Sequence, residues 1–189
     1  FIGRGVSYCA TCDGFFFTGK HVAVIGGGNS ALDEGLFLTR FAQKVTIIHR
    51  RDRLRADAIL QERARRNEKI EFLLDTVVEQ VIGDQGVHTL RLKNVRSGEI
   101  SDFKVDGVFV FIGHSPNVSL FEGQIEFDQQ GYIKTDRRTR TNVTGVFACG
   151  DVQDSLYRQA ITAAGSGCQS AIEAEKYIAE LEGAAYPAK

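Results

Sequence analysis

Short apolar runs separated by polar or glycine-rich segments mark the first third of the chain. Residues 21–25 (HVAVI) and 44–49 (KVTIIH) are rich in β-branched side chains, which predicts two buried strands. Between them, glycines at 26–28 precede a helical pattern that begins at Asn29, where small and apolar residues recur every three or four positions. The order strand, turn, helix and strand predicts a βαβ unit with parallel strands.

The next segment alternates between apolar and polar residues. A charged helical stretch at 58–66 leads to a third strand at 70–74. Residues 76–105 then alternate with a period of two and contain glycine turns, which predicts an antiparallel meander inserted into the α/β unit.

A cluster of helix- and strand-breaking residues divides the chain. The buried strand predicted at 105–113 ends before the His-Ser-Pro-Asn cluster at 114–117, where we expect the domain boundary. This boundary gives domains at 1–115 and 116–189.

The last third contains two short predicted strands, at 131–136 and 145–151, and one long helix that closes the chain. Apolar residues recur along this helix at three- and four-residue steps and form a single seam: Ile161, Ala164, Cys168, Ala171, Ala174, Ile178 and Leu181.

Composition narrows the function classes. The chain has 189 residues, 43% of them hydrophobic and 25% charged, as in ordinary globular proteins. Its net charge of -1 argues against general binding to nucleic acid or acidic membranes. No apolar run is long enough to span a bilayer, and no secretory signal pattern opens the chain. The four cysteines are too few for a disulfide-stapled secreted scaffold, so we expect a cytoplasmic protein. The chain begins with Phe and contains no Met, which suggests a piece of a longer product.

The glycine segment fits the pattern G-x-G-x-x-A through Gly26, Gly28 and Ala31. Gly26 allows a tight turn, Gly28 lets a pyrophosphate approach the backbone, and Ala31 permits close packing of helix against strand. The helix N-terminus also offers free N–H groups and a positive dipole end to phosphates. Its place between a strand and a helix favours a dinucleotide site over a purely structural glycine turn, which is the alternative.

The second strand ends in basic residues. A carboxylate at this place would bind the ribose hydroxyls of NAD, but the chain has His49, Arg50 and Arg51, with Arg55 one turn further on. Several fixed positive charges suit a 2′-phosphate better than a hydroxyl, which favours NADP(H). A solvated basic patch is the alternative, and nucleic-acid binding has little support because no aromatic platform accompanies the charge.

The segment YCATCDG contains Cys9 and Cys12, with Asp13 directly after them. A structural zinc site needs four ligands, and the other cysteines and histidines lack the usual spacing, so we expect no metal. Next to a dinucleotide fold, the pair favours redox chemistry over an inert buried pair. Asp13 could exchange a proton with the departing thiolate or only form a turn. We expect Cys149 and Cys168 to be core residues.

These motifs occur together with later ones in a recognisable order. The chain contains CATCDG, GGGNSA, HRR followed by Arg55, GHSPN, GVFACGDV and YRQAITAAGSG, and it resembles low-molecular-weight thioredoxin reductases over essentially its whole length. The resemblance implies an α/β fold, in which a Rossmann-like NADPH-binding domain with an antiparallel meander precedes part of a second, FAD-binding α/β domain. It implies that electrons pass from NADPH to FAD, then to the CxxC disulfide, and then to the active-site disulfide of thioredoxin.

The resemblance also implies roles for single residues of the first domain. Cys9 and Cys12 would be the redox pair and Asp13 the acid and base. The pyrophosphate of NADPH would be held by Gly26, Gly28, Asn29 and Ser30. Its 2′-phosphate would be surrounded by His49, Arg50, Arg51 and Arg55.

In the second domain, the resemblance places FAD against two segments. Its ribityl and phosphate groups would contact Gly150 and Asp151, and its isoalloxazine ring would contact Arg158, Gln159 and Ala160. Members of the family begin with another dinucleotide fold that has its own G-x-G-x-x-G, whereas this chain has a single such motif. We therefore expect the C-terminal part of a reductase, with an incomplete FAD site and exposed apolar surface on residues 118–189.

The leading interpretation is an NADPH-dependent thioredoxin-disulfide reductase, a homodimer when complete, whose present chain is inactive alone for lack of a complete FAD site. One alternative is a reductase of another disulfide protein, such as a peroxidase partner. A second alternative is an NADPH-binding module without turnover, and a third is a zinc-stabilised domain.

Overall fold

The two β-branched runs lie side by side as neighbouring strands in the computed structural model, which describes residues 1–183. The chain divides into two compact units, one formed by Phe1–Gly113 and one that begins at His114. The α-helices and strands of the first unit are, in chain order, β1 (Val6–Ser7), α1 (Ala10–Asp13), β2 (His21–Ile25), α2 (Asn29–Leu38), β3 (Lys44–Ile48), α3 (Ala58–Arg65), β4 (Ile70–Leu73), β5 (Thr76–Gly83), β6 (Val87–Asn94), β7 (Ile100–Lys104) and β8 (Gly107–Val110). A 3₁₀ helix, Gly14–Phe17, directly follows α1.

A parallel sheet of five strands forms the frame of the first unit, in the order β1-β8-β2-β3-β4. Strands β2 and β3 are hydrogen-bonded in parallel, and α2 connects them in sequence. The predicted βαβ unit is therefore confirmed. Because parallel strands end at the same edge of a sheet, the segments after β1, β2 and β3 start from one edge, and that edge is where ligands bind in α/β folds.

Strands β5, β6 and β7 form a separate antiparallel sheet, which confirms the predicted meander. Buried residues that include Leu90 of this sheet and Val108 of β8 pack between the two sheets. On the helical side of the parallel sheet, Phe109 is fully buried, and its ring lies 5.2 Å from that of Phe17. A Cβ atom at Gly35 would lie 3.4 Å from Ile47 Cδ1, so α2 packs closely on the sheet.

The second unit contains two short 3₁₀ helices, Ser119–Phe121 and Gly150–Val152, and helix α4 (Ala160–Leu181). The strands predicted at 131–136 and 145–151 are wrong, since these segments take part only in isolated bridges.

The physical reason is local backbone geometry. Gly131, Thr139 and Gly145 have positive φ angles of 87°, 62° and 79°, which interrupt an extended ladder. The carboxylate of Asp136 also accepts hydrogen bonds from the backbone N–H groups of Arg138 and Arg140, so these donors serve a turn and not a strand.

The apolar seam predicted along α4 is solvent-exposed, with Ile161, Ile178 and Leu181 exposing 80%, 53% and 69% of their surfaces. Exposed apolar surface was expected on residues 118–189, and the described part of that range, 118–183, has it along α4. Cys168 is also exposed, so its prediction as a core residue is wrong, while Cys149 is half-buried. Among residues 1–183, none of the helices combines the length and the apolar character needed to cross a membrane.

Candidate active site

Helix α1 starts directly after β1 and carries the cysteine pair at its N-terminus. Cys9 and Cys12 form a disulfide with a Cα–Cα distance of 5.3 Å. Cys9 is also the N-cap residue of α1, and its Sγ accepts a hydrogen bond from the backbone N–H of Cys12 at 3.2 Å. Cys12 is exposed and Cys9 is half-buried, so the pair is accessible from the surface of the first unit.

Ser7 connects the disulfide to Asp13. The buried Ser7 hydroxyl donates to Asp13 Oδ2 at 2.7 Å, and the backbone N–H of Cys9 donates to Ser7 Oγ at 3.1 Å. The carboxylate of Asp13 is therefore oriented beside the cysteine pair. Ser7 belongs to none of the motifs recognised in the sequence, although its place at the end of a parallel strand just before the cysteine pair is a usable signal.

Glu34 of α2 lies beneath the start of α1. Its carboxylate accepts a hydrogen bond from the backbone N–H of Ala10, and its Oε2 atom is buried without a partner among the described residues. Burial raises the pKa of Glu34 above its ordinary value, and the charge of Asp33 adds to this shift. In sequence, Glu34 is indistinguishable from an ordinary surface charge on an amphipathic helix.

The three glycines after β2 have different surroundings. A Cβ atom at Gly26, whose φ is 150°, would lie 2.4 Å from the carbonyl oxygen of Phe111, and one at Gly27 would lie 2.4 Å from His49 Nδ1. A Cβ atom at Gly28 would meet nothing within 4 Å, and Gly28 is the N-cap of α2. The first two glycines thus serve packing, while Gly28 leaves open space at the helix N-terminus for an anion.

The loop between β3 and α3 is fastened to this glycine turn. The backbone N–H of Ala56 donates to the carbonyl of Gly27 at 3.1 Å. The side-chain amide of Asn29 donates to Asp57 Oδ2 at 2.9 Å and accepts from the Asp57 N–H at 2.8 Å. The side chain of Asn29 is therefore occupied by Asp57, which leaves backbone N–H groups of the first turn, including that of the exposed Ser30, to face a phosphate.

A cleft of about 460 Å³ lies between the glycine turn and the basic loop. Its lining includes Gly26, Gly27, Arg50, Arg55 and Thr76 together with apolar side chains such as Ile112. Four of the eight predicted NADPH residues line this cleft, namely Gly26, His49, Arg50 and Arg55, and the cleft offers an apolar wall and two guanidinium groups. The other four, Gly28, Asn29, Ser30 and Arg51, are not among its lining residues. The combination of an apolar wall and guanidinium groups fits a phosphorylated dinucleotide.

His49 contributes to the wall of this cleft and is 6% exposed. Its Nε2 atom is buried without a hydrogen-bond partner in the part of the chain that the structure describes. Burial lowers the pKa of His49, and the positive charges of Arg55, Arg51 and Arg50 lower it further. His49 is thus a neutral ring near neutral pH, while the arginines supply the charge.

The residues predicted to bind FAD lie in the second unit. Gly150 has a φ of 72°, and its N–H donates to Ser166 Oγ of α4 at 3.0 Å, while Asp151 is exposed. Gln159 is the N-cap residue of α4 and forms a capping box with Thr162. Ala160 is the first residue of that helix.

Arg158 precedes the capping residue with a left-handed φ of 50°, an uncommon conformation for a residue with a side chain. Asp154 holds it in place by accepting hydrogen bonds from the backbone N–H groups of Leu156, Tyr157 and Arg158. Burial opposes ionisation of Asp154, but these N–H groups and the Thr162 hydroxyl together lower its pKa. Within residues 1–183 there is no group of three His, Cys, Asp or Glu side chains suited to a metal ion.

The family model of the pyridine nucleotide-disulphide oxidoreductases matches residues 1–167. The chain belongs to this family. Within it, the chain is 57% identical over 180 residues to a thioredoxin reductase of Streptomyces coelicolor and 56% identical over 181 residues to one of Mycolicibacterium smegmatis. Each match covers 95% of this chain, which spans 56% and 58% of the length of the two relatives.

Solved structures of thioredoxin reductases are also similar to this chain. The crystal structure of thioredoxin reductase from Streptococcus pyogenes superimposes with a TM-score of 0.87 at 42% identity, covering 94% of this chain and 58% of that one. The thioredoxin reductase of Giardia duodenalis gives a TM-score of 0.80 at 40% identity, covering 93% and 58% of the two chains. The resemblance to thioredoxin reductases and the α/β fold class are therefore confirmed.

Proposed function

We propose that this chain carries the NADPH site and the disulfide centre of a thioredoxin reductase. The observation that carries the proposal is the placement of the Cys9–Cys12 disulfide in the same unit as the basic cleft, both after carboxyl ends of strands in one parallel sheet. The similarity to thioredoxin reductases over 95% of the chain supports it.

The cleft would bind NADPH through charge and backbone groups. The N-terminus of α2, with Gly28, Asn29 and Ser30, would hold the pyrophosphate, because its N–H groups have no intrahelical acceptors. Arg50 and Arg55, together with Arg51, would contact the 2′-phosphate. When bound, NADPH would supply a hydride, and FAD would supply the two-electron chemistry that connects this hydride to the disulfide.

The cysteine pair would take up these electrons and pass them on. Reduction breaks the S–S bond and adds two electrons and two protons, and Asp13, held beside the pair by Ser7, would move a proton to or from the departing sulfur. One thiolate then attacks the partner's disulfide, and the second thiol resolves the mixed disulfide. The pair returns to a disulfide, and the partner leaves as a dithiol.

The surroundings of the pair favour a protein partner. Phe15 and Phe16 follow α1 and expose 70% and 69% of their surfaces, and Tyr8 before the pair exposes 51%. Clustered exposed aromatic side chains are typical of protein-binding surfaces. Thioredoxin is the partner that we propose, and a peroxidase-type disulfide protein is the competitor to test beside it.

In the second unit, Gly150, Asp151, Arg158, Gln159 and Ala160 would contact FAD at the N-terminus of α4. The strained backbone of Arg158 and its fixation by Asp154 support a functional constraint at this point. Because the chain spans little more than half the length of its relatives, we propose that turnover belongs to the complete enzyme, a homodimer, and that this chain alone does not turn over NADPH.

A thiol-transfer experiment tests the disulfide centre without flavin. The chain is reduced with dithiothreitol, freed of reductant and mixed with oxidised thioredoxin, and new thioredoxin thiols are counted by alkylation and gel shift. We expect two new thiols per thioredoxin with the wild-type chain. Of C9S and C12S, the variant that keeps the attacking cysteine stops at the mixed disulfide with one new thiol, and the other variant gives none.

The exposed Cys168 provides the matched control, because C168S also removes an accessible sulfur and is expected to keep full transfer. Complete reduction of thioredoxin to two thiols by C9S or C12S, or its loss in C168S, would contradict the proposal. Transfer to the peroxidase-type protein but not to thioredoxin would favour the competing partner.

A further inference from the structure

One arginine of the antiparallel sheet reaches the basic loop of the cleft. Arg96 lies in the turn between β6 and β7, where Asn94 Oδ1 accepts hydrogen bonds from the N–H groups of Arg96 and Ser97. Its guanidinium contacts Asp52 Oδ2 at 2.9 Å through Nη2 and Asp75 Oδ1 at 3.0 Å through Nε. A residue far from the cleft in sequence is therefore connected to the loop that carries Arg50, Arg51 and Arg55.

Asp75 contacts both the turn between β6 and β7 and the basic loop. Its backbone is left-handed, with a φ of 50°, and its N–H donates to the carbonyl of Arg51 at 3.1 Å. Its own carbonyl accepts from the N–H of Val95 at 2.7 Å, and the next residue, Thr76, donates to the carbonyl of His49 at 2.9 Å. The guanidinium of Arg96 thus contacts one carboxylate within the basic loop and a second, that of Asp75, whose backbone is hydrogen-bonded to the same loop.

Asp52 is the one carboxylate in the segment from 49 to 55. Its negative charge lies among the arginines that would contact a 2′-phosphate, and it would repel that phosphate if it were unpaired. The ion pair with Arg96 neutralises it. Exposed ion pairs of this kind contribute little to stability, so we expect the effect of Arg96 on ligand binding and not on folding.

We propose that Arg96 is a positioning residue that sets the preference of the cleft for a 2′-phosphate, by fastening the basic loop to Asp75 and by neutralising Asp52. The inference rests on the proposed function, because it requires that the cleft bind NADPH. Arg96 does not itself line the cleft, so it acts through Asp52 and the backbone of Arg51.

The test compares two probes, 2′,5′-ADP and 5′-AMP, by nuclear magnetic resonance titration of the intact chain. In R96Q, the affinity for 2′,5′-ADP falls about two- to fivefold at low salt, the size expected for one partly exposed charge pair. The affinity for 5′-AMP stays unchanged, and the loss shrinks at high salt because ions screen the freed carboxylate.

Two further variants separate the causes. R91Q breaks a comparable pair in the same sheet, in which Arg91 Nε lies 3.0 Å from Asp102 Oδ1, and keeps wild-type affinity for both probes. D52N added to R96Q recovers part of the lost affinity, because the repelling charge is gone. No recovery would overturn the neutralising role of Arg96.

The outcomes distinguish this inference from the function on which it rests. A wild-type chain that binds 2′,5′-ADP no more tightly than 5′-AMP overturns the NADPH site and the role of Arg96 together. A wild-type preference that persists unchanged in R96Q, or an equal loss of both probes, overturns the role of Arg96 alone.

Discussion

Two leucines that end helices have opposite surroundings in the two units. Leu38, the last residue of α2, is fully buried, whereas Leu181, the last residue of α4, exposes 69% of its surface. Burial of apolar surface stabilises a fold by about 25 cal/mol per Å². The first unit gains this stabilisation on both faces of its parallel sheet, while the buried apolar cluster of the second unit consists of Val118, Ile133 and Ala148.

In the second unit, α4 contributes buried polar side chains where α2 of the first unit contributes buried apolar ones. Glu173 is 7% exposed and accepts hydrogen bonds from Lys176 Nζ at 2.9 Å and Arg140 Nη2 at 2.8 Å. The pKa of Glu173 is lowered, chiefly by the hydrogen bond from Lys176. Burial opposes this shift, and the hydrogen bond from Arg140 adds to it. Thr139 and Ser170 pair through their hydroxyls at 2.9 Å. Such networks hold a geometry, but they supply less net stability than apolar burial does.

The largest expected effect comes from one substitution made in both units. L38A removes a fully buried side chain and lowers the free energy of unfolding of the first unit by about 2–5 kcal/mol. L181A removes an exposed side chain of the same type and changes the stability of the second unit by less than about 0.5 kcal/mol. Urea unfolding, followed by probes placed in each unit, measures both.

Equal destabilisation by the two leucine variants would contradict the contrast, because it would mean that Leu181 is covered in solution. Loss of both units in L38A would show that the second unit depends on the first for its stability.

The parallel sheet could be predicted because its strands are buried on both faces and therefore appear as uninterrupted β-branched runs. The second unit lacks this signal. Its segments at 131–136 and 145–151 have strand-like composition, yet left-handed residues such as Thr139 and side-chain contacts from Asp136 determine their backbone. These features depend on single dihedral angles and hydrogen bonds, which composition does not specify.

The candidate site shows the same limit. Residues within contiguous motifs, such as Gly28 and Arg55, were recognisable because the chemistry requires their spacing. Glu34 and Arg96 were not, because they reach the disulfide helix and the basic loop only through tertiary contacts. Gly27 matches no fixed position of the motif. A glycine is needed there because the His49 ring lies too close for a Cβ atom.

A second pair of substitutions separates the cleft from the frame of the first unit. G26A places a Cβ atom 2.4 Å from the Phe111 carbonyl oxygen at a φ of 150°, so it lowers the unfolding midpoint of the first unit and leaves that of the second unchanged. G28A meets no atoms and keeps stability within about 1 kcal/mol. It nevertheless weakens NADPH binding at least about tenfold, because the new methyl group occupies the space above the helix N-terminus.

Thermal unfolding and the change in NADPH fluorescence on binding measure the two properties for each variant. Unchanged NADPH affinity in a folded G28A chain would show that the pyrophosphate does not approach the backbone there.

The smallest expected effect is a difference in pH dependence between the units. The pKa of His49 is lowered from its ordinary value of 6.5, chiefly by burial, so the unfolded chain takes up a proton below pH 6.5 that the folded chain does not. The contribution of His49 to the stability of the first unit is complete above that pH and is lost as the pH drops below it. The raised pKa of Glu34 acts in the opposite direction, because its carboxyl group ionises more readily in the unfolded chain as the pH rises above 4.5. In the second unit, Asp154 and Glu173 have lowered pKa values, so their stabilising effect is lost only below their ordinary values of 3.8 and 4.5.

H49N therefore flattens the decline of first-unit stability just below pH 6.5, and the second unit stays flat over the same range in both proteins. The matched control is H88N, which makes the same substitution at a histidine whose side chain is 52% exposed and shows what the exchange of His for Asn does to the midpoints by itself. Urea midpoints recorded at half-unit pH steps give the slopes. A wild-type slope that survives in H49N would assign the proton uptake to His21, whose pKa is also lowered by burial. The acid-sensitive group of the first unit would then be the His21 ring, which is hydrogen-bonded to Thr46 of β3, and not a residue of the cleft.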